Sequence, residues 1–341
     1  MDLKEMIFAL CGTCGVSGSE EPALELAARL LEPFAEVTTD ANGNLYAELE
    51  NKSAKKTILL DAHIDRIGFI VTDINKDGFV KLDKCGGIDI RVLNDARVTT
   101  QDGNITGTIC CLPPHLSDGS EDKATPISKV WADFGMTADE IKKYIKIGDA
   151  LSFVSKPRML LNNRVTAPSL DNRCSVAALI KTAELLKDVQ TEYRVVILLS
   201  SQEETFGTGA VTGAFKLNAD EAIAVDVSFA SQPDISGQYG KIELGGGPMI
   251  GISPILNKKM TNKLISLCEA DGRKYQLEPI SGRTGTNADH IAISRGGVKT
   301  AMVSIPQRYM HTAVEVISLD DVEACAKLLA DYIISGGAFD D

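Results

Sequence analysis

The sequence predicts an α/β protein: a mixed sheet flanked by helices, interrupted by one small inserted β domain. Three observations lead there. Continuous apolar runs at 57–62, 195–199, 222–226 and 300–305 read as strands buried on both faces. Amphipathic helical patterns alternate with those runs. Between residues 72 and 163 the character changes to short β-like runs punctuated by Asp77-Gly78, Gly86-Gly87, Asp102-Gly103 and Pro113-Pro114. A chain of 341 residues also exceeds what one small core needs. Residues 1–71 and 164–341 are therefore expected to form one α/β domain, with 72–163 inserted as a separate β domain.

Taken in order, Leu24, Ala27, Leu31 and Phe34 recur at helical spacing, with Ser17 and Glu20 in the pattern of a capping box ahead of them. The alternation at 37–48 around Asn42-Gly43-Asn44 predicts a hairpin. The strand at 57–62 delivers His63-Ile64-Asp65, and on extended backbone His63 and Asp65 would share a side. Inside the inserted block only 137–144 reads as helical, opened by Thr137 and Glu140. Residues 115–129 read as a polar loop, with His115 a surface histidine beside it.

The α/β pattern resumes at Pro168-Ser169-Leu170-Asp171-Asn172-Arg173, and 175–187 reads as a helix. Asp171 at its start has the position of an N-cap as well as of a ligand. The run at 195–199 leads into Ser200-Ser201-Gln202-Glu203-Glu204. Alternation would turn Glu203 and Glu204 in different directions, so that one can bind a metal while the other holds a proton. An isolated Glu-Glu pair is ordinarily solvated surface; its place at the end of a buried strand sets this one apart. Asp226 ends another buried strand, where an acid is costly unless paired or bound to metal. A helix follows at 261–272. The run at 300–305 leads to Pro306-Gln307-Arg308-Tyr309-Met310-His311, and a last helix opens at Ser318 with Asp321 in a capping pattern.

Composition excludes several classes. Net charge is −12, from 35 basic and 47 acidic residues, which speaks against a nucleic-acid partner. No stretch is long enough to span a membrane. The run at 6–10 is too short for a signal h-region and no basic residues precede it as a group, so the protein is expected in the cytoplasm. The 8 cysteines then read as reduced thiols, the Cys11-Gly-Thr-Cys14 spacing included.

Four strand-to-loop transitions thus deliver metal-type ligands: His63, Glu204 beside Glu203, Asp226 and His311. Asp171 adds a fifth. In open α/β sheets functional groups collect beyond the C-terminal ends of the strands, so residues far apart in sequence can converge. Two imidazoles and three carboxylates suffice for two divalent ions if one carboxylate bridges. Such pairs, about 3.5–4 Å apart, serve hydrolysis of acyl or phosphoryl bonds. The donors suit zinc first, with cobalt or manganese as alternatives. The residues alone lead as far as a dinuclear metallohydrolase.

The chain also resembles the M42 metallo-aminopeptidases, the glutamyl and deblocking aminopeptidases of prokaryotes. The resemblance rests on Asp61-Ala-His-Ile-Asp-Arg-Ile-Gly68, Leu170-Asp-Asn-Arg173, Gln202-Glu-Glu204, Val225-Asp-Val227 and Ser304-Ile-Pro-Gln-Arg-Tyr-Met-His311, in the family's order over nearly the whole chain. It implies a dinuclear zinc peptidase-like sheet with an inserted small β-barrel or PDZ-like dimerisation domain. It implies two divalent metal ions per subunit, one held by His63, Asp171 and Asp226, the other by Asp171, Glu204 and His311. Asp171 is then the bridge, Glu203 the general base that takes a proton from metal-activated water, and Asp65 a carboxylate orienting the site. A peptide is the implied substrate, losing residues from its N-terminus. A homo-oligomer built from dimers is implied too, as large as the family's tetrahedral shell of twelve.

Arg66, Asn172 and the stretch Thr205-Phe206-Gly207-Thr208 depart from the family's usual residues. None is an implied ligand, and each can alter substrate preference. His290 has no family role and reads as a structural histidine. Two other readings compete: a related metal-dependent deacylase or amidohydrolase on small N-acyl substrates, and a non-catalytic assembly protein that kept the fold. The intact set of five ligands with Glu203 opposes the latter.

Overall fold

In the computed structural model, which describes residues 1–49, 51, 54, 56–110, 124–233 and 241–338, the chain opens on two helices. Asp2 caps α1 (Leu3–Gly12) by accepting the Glu5 N–H. α2 (Glu21–Leu31) starts with Pro22 in its first turn and buries Ala23, Leu24, Ala27 and Leu31. The expected capping box of Ser17 and Glu20 does not form. The Ser17 hydroxyl donates to Asp65 instead, and Glu20 accepts the Gly18 and Gln202 N–H groups. β1 (Glu36–Thr39) and β2 (Leu45–Glu48) make the predicted antiparallel hairpin, and β3 (Lys56–His63) follows.

The chain then enters the inserted unit: β4 (Gly68–Ile74), β5 (Val80–Cys85), β6 (Arg97–Thr100), β7 (Thr106–Ile109), β8 (Trp131–Asp133), the short α3 (Ala138–Ile141) with its Thr137–Glu140 capping box, and β9 (Ala150–Phe153). These strands close into a barrel in the order β4-β5-β8-β7-β6-β9. Phe69, Val71, Leu82, Val98, Ile141 and Leu151 fill it, a core of its own. His115 lies outside the described residues, as does the larger part of the loop around it.

After β10 (Arg158–Leu160) and β11 (Arg164–Ala167) come α4 (Leu170–Leu186), β12 (Tyr193–Ser200), α5 (Thr208–Leu217), β13 (Glu221–Phe229) and β14 (Met249–Ile252). The chain ends with α6 (Lys258–Ala270), β15 (Gln276–Pro279), α7 (Ala288–Ala292), β16 (Lys299–Gln307), β17 (Glu315–Ser318) and α8 (Leu319–Ile334). The main sheet has 8 strands in the order β1-β2-β12-β3-β13-β16-β14-β15. Its middle strands β12, β3, β13 and β16 are parallel, while β2 and β14 pair antiparallel, which makes the sheet mixed as expected. A smaller sheet, β10-β11-β17, stands beside it.

Alternation explains the unbroken apolar runs. Ile58, Leu60, Ile197, Leu199, Ile223, Val225, Val303 and Ile305 face α1, α2, α4, α6 and α8 in one core. Leu59, Val196, Leu198, Ala222, Ala224 and Met302 face α5 and α7 in another. Each middle strand is covered on both sides, so both sides stay largely apolar along the run, and Asp61, Ser200, Asp226 and Ser304 come in toward the C-terminal ends. α5 and α7 have no counterpart in the sequence reading. α5 is short and rich in small residues, and Gly209 and Gly213 let it lie directly on Ser201 and Leu198. Asp321 does not cap α8 either; it is buried and accepts the Gly245 and Gly247 N–H groups, pinning that loop.

Candidate metal centre

The parallel middle strands share a direction, so their C-terminal ends open on one edge of the sheet. His63 is the last residue of β3, and Asp226 lies near the end of β13. Glu203 and Glu204 follow β12, and His311 follows β16. Asp171 reaches the same edge from α4. Asp171 and Asn172 both have non-helical backbone, so the regular helix begins after them. Asp171 is therefore no N-cap: its carboxylate points away from the helix, toward the two imidazoles.

The two oxygens of Asp171 divide between those imidazoles. Oδ1 lies 3.1 Å from His63 Nε2, and Oδ2 lies 3.3 Å from His311 Nε2. Asp226 Oδ1 stands 3.7 Å from His63 Nε2, and Glu204 Oε2 stands 3.3 Å from His311 Nε2. Two groups result, His63–Asp171–Asp226 and Asp171–Glu204–His311, and within each the donor atoms lie within 4.8 Å of one another. They have one residue in common, Asp171.

Asp65 does not project beside His63 as a strand neighbour would. Its carboxylate approaches the far side of the ring, with Oδ1 3.3 Å from Nδ1, opposite the nitrogen that faces Asp171. The same carboxylate accepts the Glu203 N–H at 3.0 Å, the Glu204 N–H at 3.1 Å and the Ser17 hydroxyl at 2.5 Å. One fully buried acid thus fixes an imidazole and the backbone of both glutamates. The glutamate side chains do diverge, Glu203 to 3.8 Å from His63 Nε2 and Glu204 toward His311. The cause is a turn rather than strand alternation: β12 stops at Ser200, and Gln202 takes a left-handed φ of 57°.

Electrostatics marks this edge as a place short of positive charge. Burial pushes the Glu203 carboxyl up to about 7, with the charges of Asp171 and Asp65 adding to it against His63. Burial and Asp171 likewise raise Glu204, and burial and Glu203 raise Asp226. Burial opposes the imidazolium form of His311, yet its bond to Asp171 and the charge of Glu204 lift it to about 10. His63 is raised in the same way by Glu203, Asp171 and Asp65. Asp171 is held low despite burial, by its bonds to His311 and His63. The ion-pair partners of Asp171, Glu203, Glu204 and Asp226 among the described residues are those imidazoles alone. Glu204 Oε1 is buried without a hydrogen-bond partner. Nitrogen and carboxylate donors converging with an orphaned oxygen fit divalent cations of the zinc, cobalt or manganese type.

Sequence reasoning passed over three supports. Glu315, buried at the start of β17, accepts the N–H groups of Asp171 and His311. The Gly86-Gly87 turn comes from the barrel: the Gly87 carbonyl accepts from His311 Nδ1 at 2.9 Å, and Gly86 lies against Glu204. Asn287 donates to Asp61 and to Ser200, the strand partner of His63. The paired glycines were the one signal available, since close backbone approach requires a residue without a Cβ. Of the unusual positions, Arg66 and Asn172 are buried, and Asn172 donates to the Val225 carbonyl. Thr205 and Phe206 are exposed. His290 packs its ring against Gly207.

Known proteins similar to this chain over nearly its whole length include aminopeptidases. The family model described as M42 glutamyl aminopeptidase matches residues 43–328. A lysyl aminopeptidase of Pyrococcus furiosus is 32% identical over 332 residues, covering 95% of this chain and 94% of its own. The solved structure of an aminopeptidase from the archaeon Desulfurococcus kamchatkensis superimposes with a TM-score of 0.91 at 31% identity, over 98% of this chain and 95% of that one. The TET1 peptidase of Pyrococcus horikoshii, described as assembling into a tetrahedron or a large octahedral shell, superimposes with a TM-score of 0.88 at 30% identity, over 98% and 99% of the two chains.

Proposed function

The chain belongs to the M42 glutamyl aminopeptidase family and is a metal-dependent aminopeptidase, and from that premise we propose how its residues divide the work. His63, Asp171 and Asp226 would hold one divalent ion, and Asp171, Glu204 and His311 a second, with Asp171 as the bridge. The observation that carries this reading is the split of the Asp171 oxygens between two imidazoles. Zinc is the metal the donors suit best. Bound there, divalent ions supply Lewis acidity to a water molecule and a peptide carbonyl.

The chain's own groups do the rest. Glu203 stands 3.8 Å from His63 Nε2 without belonging to either ligand group. Its carboxylate, raised toward neutrality by burial, takes a proton from the attacking water and returns it to the leaving amine. Asp65 holds the His63 ring and fixes the Glu203 and Glu204 backbone, so base and ligand keep their spacing. The comparisons do not favour the deacylase or the non-catalytic reading.

The assembly is part of the same proposal. The shell-forming P. horikoshii relative supports a homo-oligomer here, with residues 72–163 as its dimerisation domain and a tetrahedral shell of dimers as its fullest form. Peptides would then be the substrates. No helix among the described residues is long and apolar enough to cross a membrane, and a cytoplasmic setting completes the reading.

The test is a panel of aminoacyl-anilides, peptides and N-acyl amino acids, assayed before and after chelation with metal content measured alongside. The expected result is aminoacyl hydrolysis that disappears with two ions per chain and returns on resupply. Activity indifferent to chelation, or a single ion per chain at full activity, would overturn the assignment.

A further inference from the structure

Glu315 belongs to neither ligand group, yet it accepts the backbone N–H of His311 and of Asp171, the residue the two groups share. It is 1% exposed and opens β17, where it sits opposite Ala167 at the end of β11. That register places its side chain between two loops that meet nowhere in sequence: the one leading from β11 into Asp171, and the one leading from β16 through His311. Its two oxygens are engaged separately. Oε2 accepts the Asp171 N–H at 3.1 Å, and Oε1 accepts the His311 N–H at 3.0 Å. The second loop is in need of support, because Tyr309 and His311 both have left-handed backbone, φ 59° and 63°, which side chains disfavour.

We propose that Glu315 is a positioning residue that ties the bridging carboxylate to the His311 loop, so that the Asp171–Glu204–His311 group is assembled only while both bonds are made. This rests on the metal-site reading above. An amide cannot replace the carboxylate. Glu315→Gln offers one acceptor oxygen, and its NH2 would face the other backbone N–H, leaving two buried donors opposed. The His63–Asp171–Asp226 group keeps its His63 support from Asp65 and is affected less.

The experiment is titration of the metal-free, full-length protein with cobalt(II) alone, followed by its visible absorption, on the parent and on Glu315→Gln. One ion should bind the variant about as the parent binds it, and the second about 10–100-fold more weakly. At limiting cobalt, kcat should fall with KM unchanged, and excess cobalt should restore it. A purely structural residue would instead lower the melting temperature of the metal-free protein and leave the ratio of the two affinities alone; that result overturns the proposal. Should Glu315→Gln fail to fold, Glu315→Asp, which keeps both oxygens one methylene short, carries the same titration, and parental affinities for both ions overturn the proposal. A parent that takes up no second ion overturns the site reading and this inference with it, whereas a parent that takes up two while the variant matches it overturns this inference alone.

Discussion

Replacing Glu203 by Gln isolates proton transfer from metal binding. The change is isosteric, and the Glu203 backbone N–H that anchors the turn on Asp65 is untouched. Neither ligand group contains Glu203, so no donor is removed. What disappears is a carboxylate only 18% exposed, with its proton affinity raised by burial to about 7, close to the value at which a base is most effective. A positioned base contributes about 10²–10⁴-fold, so kcat should fall by that factor, or about 3–5 kcal/mol in the barrier, with KM little changed. Metal content should stay at the parental level. Glu204→Gln is the matched control: it keeps the proposed base, Glu203, removes one donor of the second candidate group, and should bind one ion weakly. Turnover of an aminoacyl-anilide and metal per chain, measured on both variants side by side, decide the matter. If Glu203→Gln lost metal yet recovered activity on reloading, or if Glu204→Gln kept both ions, the two roles would have to be exchanged.

Asp65→Asn leaves a single acceptor oxygen where the carboxylate serves His63, Glu203, Glu204 and Ser17; kcat or metal affinity should fall about 10–100-fold, read from kinetics and metal titration together. Gly87→Ala places a methyl 2.6 Å from His311 Nδ1 and should cost about 10²-fold in activity, with a melting temperature close to the parent's; parental activity would show that the barrel does not orient this ring. The Asp321 carboxyl is held up to about 6 by burial, against its bonds from Gly245 and Gly247. In the unfolded chain it titrates near its usual value of about 3.9. The folded chain keeps this proton where the unfolded chain has lost it, so the contribution is full below about pH 4 and falls, by about 3 kcal/mol, as pH rises through about 6. Urea unfolding of the metal-free protein across that range, compared between the parent and Asp321→Asn, should show the variant's fall smaller by about that amount.

Much of the fold was legible because a parallel strand covered on both faces leaves an unbroken apolar run, and that record is local. The four runs marked the middle of the sheet, and their ends showed where polar side chains would emerge. The Gly-punctuated runs lie in the stretch whose strands, from β4 at Gly68 to β9, close into a barrel. Capping patterns were less dependable. Ser17, Glu20 and Asp321 have the right spacing, yet each side chain binds a distant group instead: the Ser17 hydroxyl donates to the Asp65 carboxylate, Glu20 accepts the Gln202 N–H, and Asp321 accepts the Gly245 and Gly247 N–H groups. α5 and α7 left almost no pattern, being short and close-packed.

By itself the sequence determined which residues could be ligands: histidines and acids at the ends of buried strands, where only a partner or a cation makes them tolerable. Tertiary structure alone decided how they are held. Asp171 divides its oxygens between rings contributed by β3 and the β16–β17 loop, Glu203 and Glu204 part at a left-handed residue rather than by alternation, and the barrel lends a carbonyl to His311. Glu315 meets the Asp171 N–H across 144 residues of chain. The physical reason is one of range. Burial writes itself into neighbouring residues as a period, whereas a hydrogen bond between a side chain and a far backbone depends on strand register and loop closure, which leave no periodic mark in the sequence.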